Sequence, residues 1–243
     1  MSALIFPFKA SPYLVDELID WECEGDIAED PFYRLVFPTM DMLSEEHQEK
    51  LRTAVAANPF DTKEAVHEIR EALNPHPAGQ KTLNTPKDAG LTGVQHKYAE
   101  TVLFFAAAAQ TCHAYCTYCF RWAQFIGDAD LRFAQSEAES MFAYLGEHPE
   151  VSDVLFTGGD PMFMKTNMLA KYLEPFCDPN FLPHIKDLRI GTRALSFWPQ
   201  RFTTDKDADE LMTLLRRVRN EGGRHFAIMA HIRLVLQKNR LTK

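Results

Sequence analysis

Residues 102–121 read VLFFAAAAQTCHAYCTYCFR, an apolar run followed at once by three closely spaced cysteines. The run has the length and composition of a buried β-strand. We therefore expect Cys112, Cys116 and Cys119 to lie in a loop at the carboxyl end of that strand. This is the edge at which α/β barrels place their active sites.

Downstream of the cysteines, short apolar runs alternate with amphipathic segments of helical length. This alternation is typical of βα units and predicts an α/β fold with a parallel sheet. The predicted strands are 102–108, 154–157, 188–192 and 225–230, and the predicted helices are 136–146, 165–176 and 205–221.

The first hundred residues show a different pattern, which predicts helices over 13–22, 44–58 and 62–74. Ser44, followed by two glutamates, is a typical helix start. Residues 74–93 are rich in Pro and Gly and predict an extended connector, with His96, Lys97 and Tyr98 solvated beside it. We therefore divide the chain into a helical N-terminal region and connector, 1–93, and an α/β region, 94–243.

Composition excludes several classes of protein. The chain has 26 Lys and Arg against 34 Asp and Glu, a formal net charge of −8, and no basic run, which disfavours nucleic-acid binding. No apolar stretch reaches the roughly 18 residues that span a bilayer, and the N-terminus lacks the features of a secretory signal. An odd count of five cysteines suits a reducing compartment. We therefore expect a cytoplasmic protein with no membrane partner.

The spacing of Cys112, Cys116 and Cys119 predicts a metal site. Three thiolates can bind three irons of a four-iron, four-sulfur cubane, which leaves the fourth iron open to a small molecule. The alternatives are a structural zinc site completed by His113 or His96, or a set of unreactive cysteines. Zinc sites usually pair two knuckles, and Cys23 and Cys177 stand alone in the sequence.

Two further features carry candidate binding residues. Gly158, Gly159 and Asp160 follow the second predicted strand, where glycines let a backbone approach a ligand and a carboxylate can meet a cation. An ordinary strand-to-helix turn would use the same residues. Arg121 and Arg193 also follow strand ends or the cysteines, and either bind an anion there or form surface ion pairs.

The motifs taken together resemble the lysine 2,3-aminomutase family of radical S-adenosylmethionine enzymes. The matches occur in the family's order over roughly residues 30 to 230, and are DPFYRLVFP (30–38), GVQHKY (93–98), the Cys-x3-Cys-x2-Cys motif with its flanks, TGGDP (157–161) and RIGTR (189–193). Gly191 stands where the family commonly has a histidine, and Trp122 interrupts a more basic run.

The resemblance implies a partial (β/α) barrel of the radical S-adenosylmethionine type. It further implies a four-iron, four-sulfur cluster on the three cysteines and S-adenosylmethionine against Gly158, Gly159, Asp160 and Arg193. By the same resemblance, Arg121 lies on the side of the site that faces the substrate. The implied reaction is reductive cleavage of S-adenosylmethionine for 1,2-amino migration on an amino acid, with an electron donor such as flavodoxin or ferredoxin.

Alternatives to this reading are a different amino-acid substrate, a protein-bound lysine, or a non-catalytic metal-binding remnant. Barrels of this type have six strands and four are predicted here, so we expect a C-terminally truncated barrel that is either marginally stable or associates with itself. The family's pyridoxal phosphate lysine has no counterpart in this chain, since Lys238 and Lys243 lie in a tail without a motif.

Overall fold

The computed structural model of the protein describes residues 1–73, 79, 82–86, 91–127, 133–134 and 137–232. One five-stranded sheet organises the α/β part of the chain. Its strands are β1 (Val94–Tyr98), β2 (Thr101–Phe105), β3 (Asp153–Thr157), β4 (Asp187–Thr192) and β5 (His225–Ala230). They lie side by side in chain order, with β2 to β5 parallel and β1 antiparallel to β2. The α/β class is confirmed.

The predicted barrel is not confirmed, because the sheet formed by the described residues is open, with β1 and β5 at its two edges. The four predicted strands correspond to β2 to β5, whereas β1 falls where solvated connector residues were predicted. The sequence of β1 is mostly polar and only Val94 is fully buried, so the sequence pattern does not indicate a strand there. His96 is half-buried rather than solvated, and its Nδ1 lies 2.5 Å from the Tyr144 hydroxyl.

Seven α-helices accompany the sheet within the described part of the chain. They are α1 (Pro31–Val36), α2 (Glu45–Ala57), α3 (Lys63–Ala72), α4 (Ala138–Glu147), α5 (Thr166–Leu173), α6 (Ala194–Phe197) and α7 (Ala208–Asn220). Local signals explain two helix starts. The Ser44 hydroxyl accepts a hydrogen bond from the His47 amide at 3.3 Å, and the Asp30 carboxylate accepts from Phe32 and Tyr33 ahead of α1.

Several predicted boundaries differ from the observed ones. The helix predicted over 13–22 is only a π-helical segment, Leu14–Leu18, because Ile19 is extended and the next amide, that of Asp20, donates to the Asp30 carboxylate. The predicted helix over 165–176 ends at Leu173 and continues as a 3-10 turn. The predicted connector lies largely outside the described residues, as do Ser136, Lys238 and Lys243.

Alternation along the strands gives the sheet two different faces. Residues such as Phe104, Phe156 and Leu188 point to one side and form the main core with α4, α5 and α7. Residues that alternate with these along the strands, such as Leu103, Thr157 and Gly191, instead line a cavity. None of the described helices combines the length and apolar character that a membrane span requires.

Candidate cluster-binding site

The carboxyl ends of the four parallel strands surround a cavity of about 370 Å³. This is where open α/β sheets bind ligands, in the crevice beyond the strand ends. Each strand end contributes to it. Its lining includes Cys112, Cys116, Cys119 and Arg121 after β2, Thr157, Gly158 and Gly159 at the end of β3, Gly191, Thr192 and Arg193 at the end of β4, and Met229 and His231 at the end of β5. The structure therefore brings together every site residue predicted from the sequence except Asp160.

The three cysteines form no disulfide with another described residue, and all three line this cavity. Burial raises the pKa of Cys112 well above its ordinary value, and the negative charges of Asp160, Cys119 and Cys116 raise it further. Burial likewise raises the pKa of Cys119. The effect on Cys112 places it near the other two sulfur atoms, and cluster assembly must remove the thiol protons.

Across the described residues, no three His, Cys, Asp or Glu side chains form a group that could hold one metal ion. A cubane has a different requirement, because each cysteine binds a separate iron and the sulfur atoms need not converge on one point. The histidines considered for a zinc site also lie elsewhere. His96 is bonded to Tyr144, and His113 lines a different cavity. The donor set fits a cluster with an open iron better than a zinc ion.

The N-terminal region holds the cysteine loop from outside. The amide of Tyr115 donates to the Lys9 carbonyl at 2.9 Å, and the amide of Thr117 donates to the Leu35 carbonyl at 2.8 Å. The ammonium group of Lys9 adds a 2.8 Å hydrogen bond to the Thr111 hydroxyl. The region predicted as a separate helical segment therefore positions the loop, a role without a signal in the sequence.

The turn after β3 packs backbone to backbone against the cysteine loop. The Asp160 amide donates to the carbonyls of Ala109 at 3.1 Å and Thr111 at 2.7 Å. A Cβ atom on Gly159 would lie 2.5 Å from the Thr111 nitrogen and 2.6 Å from the Ala109 oxygen, and would also overlap the Thr111 oxygen. Gly158 has a φ of +127°, which favours glycine. The glycines thus permit the close approach of the two segments.

Asp160 lies behind the cavity wall rather than in it, with only 1% of its surface exposed. Its carboxylate accepts hydrogen bonds from the Met162 amide, the Thr192 hydroxyl at 2.6 Å and the Arg193 amide at 2.8 Å. Burial raises its pKa to about 6. Three protein donors thus already surround the carboxylate, and its predicted contact with a cofactor stays a prediction.

Arg193 extends from the end of β4 to the cysteine loop. Its guanidinium donates to the Cys116 sulfur at 3.0 Å and to Tyr118, and it lies 2.9 Å from the His231 Nε2. Sequence reasoning did not single out Tyr118 or His231. Their positions inside the cysteine motif and at the end of the last predicted strand were the available signals.

Arg121 is a buried cation at the cavity, with 9% of its surface exposed. Its guanidinium carbon lies 4.0 Å from the centre of the Phe105 ring, and its buried Nη1 atom has no hydrogen-bond partner among the described residues. Burial lowers the pKa of Arg121 to about 10, so the side chain remains charged near neutral pH. A buried donor of this kind fits an anionic ligand group.

Comparison with known proteins places these motifs in a family. A protein of Aquifex aeolicus (strain VF5), provisionally named L-lysine 2,3-aminomutase, is 29% identical over 226 residues, which are 93% of this chain and 48% of the relative. The L-lysine 2,3-aminomutases of Bacillus subtilis (strain 168) and Haemophilus influenzae (strain ATCC 51907 / DSM 11121 / KW20 / Rd) are 32% and 34% identical over 56% and 61% of this chain. These relatives support a lysine 2,3-aminomutase-like family of radical S-adenosylmethionine proteins for this chain.

The members of this aminomutase-like family that match are longer than the chain. The chain spans about half the length of the Aquifex aeolicus relative. The matched segments cover 26% of the Bacillus subtilis protein and 39% of the Haemophilus influenzae protein. No family model matches the sequence.

Gly159→Ala should destabilise the protein by about 1–3 kcal/mol, since the added methyl group overlaps backbone that cannot move away without displacing the cysteine loop. Gly191→Ala is the matched control, because its added Cβ would meet nothing nearer than the Phe156 oxygen at 3.8 Å. Its effect should stay within about 0.5 kcal/mol. Urea unfolding measures both. Equal stabilities for the two variants would show that the turn and the loop are not tightly packed.

Asp160 should make stability depend on pH with a defined sign. Its folded pKa of about 6 lies above its unfolded value, so its stabilising contribution is complete below about pH 4 and is lost as the pH rises through about 6. Relative to Asp160→Asn, the wild-type chain should lose up to about 1.4 kcal/mol of unfolding free energy per pH unit in that window. A constant difference between pH 4 and pH 7 would contradict the buried position of Asp160.

Proposed function

We propose that Cys112, Cys116 and Cys119 hold a four-iron, four-sulfur cluster with one open iron. The chain then takes part in the reductive cleavage of S-adenosylmethionine as an aminomutase acting on an amino acid. The observation that carries this proposal is the single cavity lined by the three thiols, the glycine turn and two guanidinium groups. When bound and reduced, such a cluster supplies the electron that splits S-adenosylmethionine into methionine and a 5′-deoxyadenosyl radical.

The chain's own residues would bind and orient the reactants. Gly158 and Gly159 present backbone without side chains to the cavity, which lets a cofactor lie close to the strand end. Arg121 offers a buried donor, which no described residue engages, to a carboxylate, the group that every α-amino acid carries. Arg193 donates to the Cys116 sulfur, and hydrogen bonds to sulfur are one of the means by which proteins set cluster potentials.

Pyridoxal phosphate, which the family resemblance implies, does not fit the described residues in the same way. No lysine lines the cavity in the part of the chain that the structure describes. We therefore infer the amino migration and the amino-acid substrate from the family relationship.

Anaerobic reconstitution should yield about four irons and four sulfides per chain. With dithionite, the reconstituted protein should convert S-adenosylmethionine to 5′-deoxyadenosine. Changing any one of Cys112, Cys116 or Cys119 to Ala should abolish both results. Cys23→Ala and Cys177→Ala are the controls and should retain the cluster, since neither residue lines the cavity.

Two results would contradict the proposal. One is a single zinc ion without inorganic sulfide. The other is a complete cluster that gives no 5′-deoxyadenosine under reducing conditions.

A further inference from the structure

A second cavity, of about 460 Å³, lies next to the cluster-binding cavity. The cysteine loop forms part of the wall of both. Cys112 and Ala114 line the cluster-binding cavity, whereas His113 between them lines the second one. The two cavities have no lining residue in common. The second cavity therefore reaches the backbone of the cluster ligands from the other side of the loop.

The second cavity is positively charged although the chain as a whole is acidic. Lys9, Lys165 and Lys206 line it, and the latter two are exposed, with no ion-pair partner for either ammonium group among the described residues. The acidic groups beside them are occupied by internal donors. Asp207 pairs with Arg201 at 3.0 Å, and Asp205 accepts from the Trp198 indole at 3.0 Å. In a chain of formal net charge −8, this leaves a local excess of cations.

The inner wall of this cavity combines a cation with aromatic rings next to Cys112. The Lys9 ammonium lies 4.0 Å from the centre of the Phe163 ring, and its charge acts on the Cys112 thiol. Phe163 is 41% exposed. The His113 ring packs edge-on against Phe163 and parallel to Trp198, and its buried Nδ1 atom has no hydrogen-bond partner in the described part of the chain. An exposed aromatic ring within a positive rim is a composition suited to docking a protein.

We propose that this second cavity and its lysine rim dock the acidic carrier protein that delivers the electron to the cluster, an inference that rests on the proposed function. In the transfer, the carrier loses one electron and the cluster gains it, and no bond or proton needs to cross the interface. Since S-adenosylmethionine and substrate would fill the cluster-binding cavity, a carrier protein must approach from the opposite side of the loop. The exposed ammonium groups of Lys165 and Lys206 lie where they would steer a negatively charged partner.

The test uses the reconstituted full chain and reduced flavodoxin, an acidic one-electron flavoprotein, with cluster reduction followed by stopped-flow absorbance. The double variant Lys165→Glu/Lys206→Glu should be reduced at least about tenfold more slowly than wild type at low ionic strength. High salt should bring the two rates together because it screens the charges. The milder pair Lys165→Gln/Lys206→Gln should show a smaller loss in the same direction.

Two controls separate docking from other effects. Lys63→Glu/Lys97→Glu makes the same change in net charge at exposed lysines outside the cavity, and should be reduced at the wild-type rate. Photoreduced 5-deazariboflavin, a small uncharged reductant, should reduce the clusters of all the variants equally. Wild-type kinetics with flavodoxin in Lys165→Glu/Lys206→Glu, or an equal loss in the control pair, would overturn the docking site. A wild-type cluster that even deazaflavin cannot reduce would instead overturn the proposed function.

Discussion

Asp160 connects the ends of three strands. Its amide donates to the Ala109 and Thr111 carbonyls in the segment after β2, and its carboxylate accepts from Thr192 and Arg193 at the end of β4. Asp160 itself follows β3. A buried carboxylate is costly unless donors surround it, and here the donors come from the segments that form the cavity. The position of the cysteine loop relative to the glycine turn and Arg193 depends on this arrangement.

The close packing around Asp160 also explains why small residues occur at this point of the chain. Gly159 lies against the backbone of Thr111, so a larger residue would push the cysteine loop away from the strand ends. The N-terminal region contacts the same loop from outside, where the carbonyls of Lys9 and Leu35 accept hydrogen bonds from the loop backbone. The loop is thus held between two backbone contacts, and its cysteines face a cavity whose walls are supplied by four strands.

The parts of the structure that could be predicted are those with strong periodic or motif signals. The apolar runs predicted β2 to β5, and the cysteine spacing predicted which thiols share a cavity. Strand β1 could not be predicted, because an edge strand with one buried residue has the composition of a loop. Asp160 was expected to face a ligand, and only tertiary contacts with Thr192 and Arg193 reveal that it is buried. The contribution of Lys9 likewise depends on a contact between residues 102 positions apart.

The same loop separates two environments of different chemistry. On one side lie three thiols, Arg121 and Arg193, which suit a cluster and anionic ligand groups. On the other lie the exposed ammonium groups of Lys165 and Lys206 in a chain of formal net charge −8. A thin wall between a buried redox centre and a charged surface would let substrate and electron arrive from different directions.

In the proposed cluster, the three cysteines would leave one iron open for S-adenosylmethionine. Electron–nuclear double resonance of the reduced, reconstituted cluster tests it most directly, using S-adenosylmethionine labelled with ¹⁵N in its amino group. We expect a hyperfine coupling between the cluster and the labelled nitrogen, because the amino group would bind the open iron. Bound S-adenosylmethionine that shows no coupling to the cluster would contradict it.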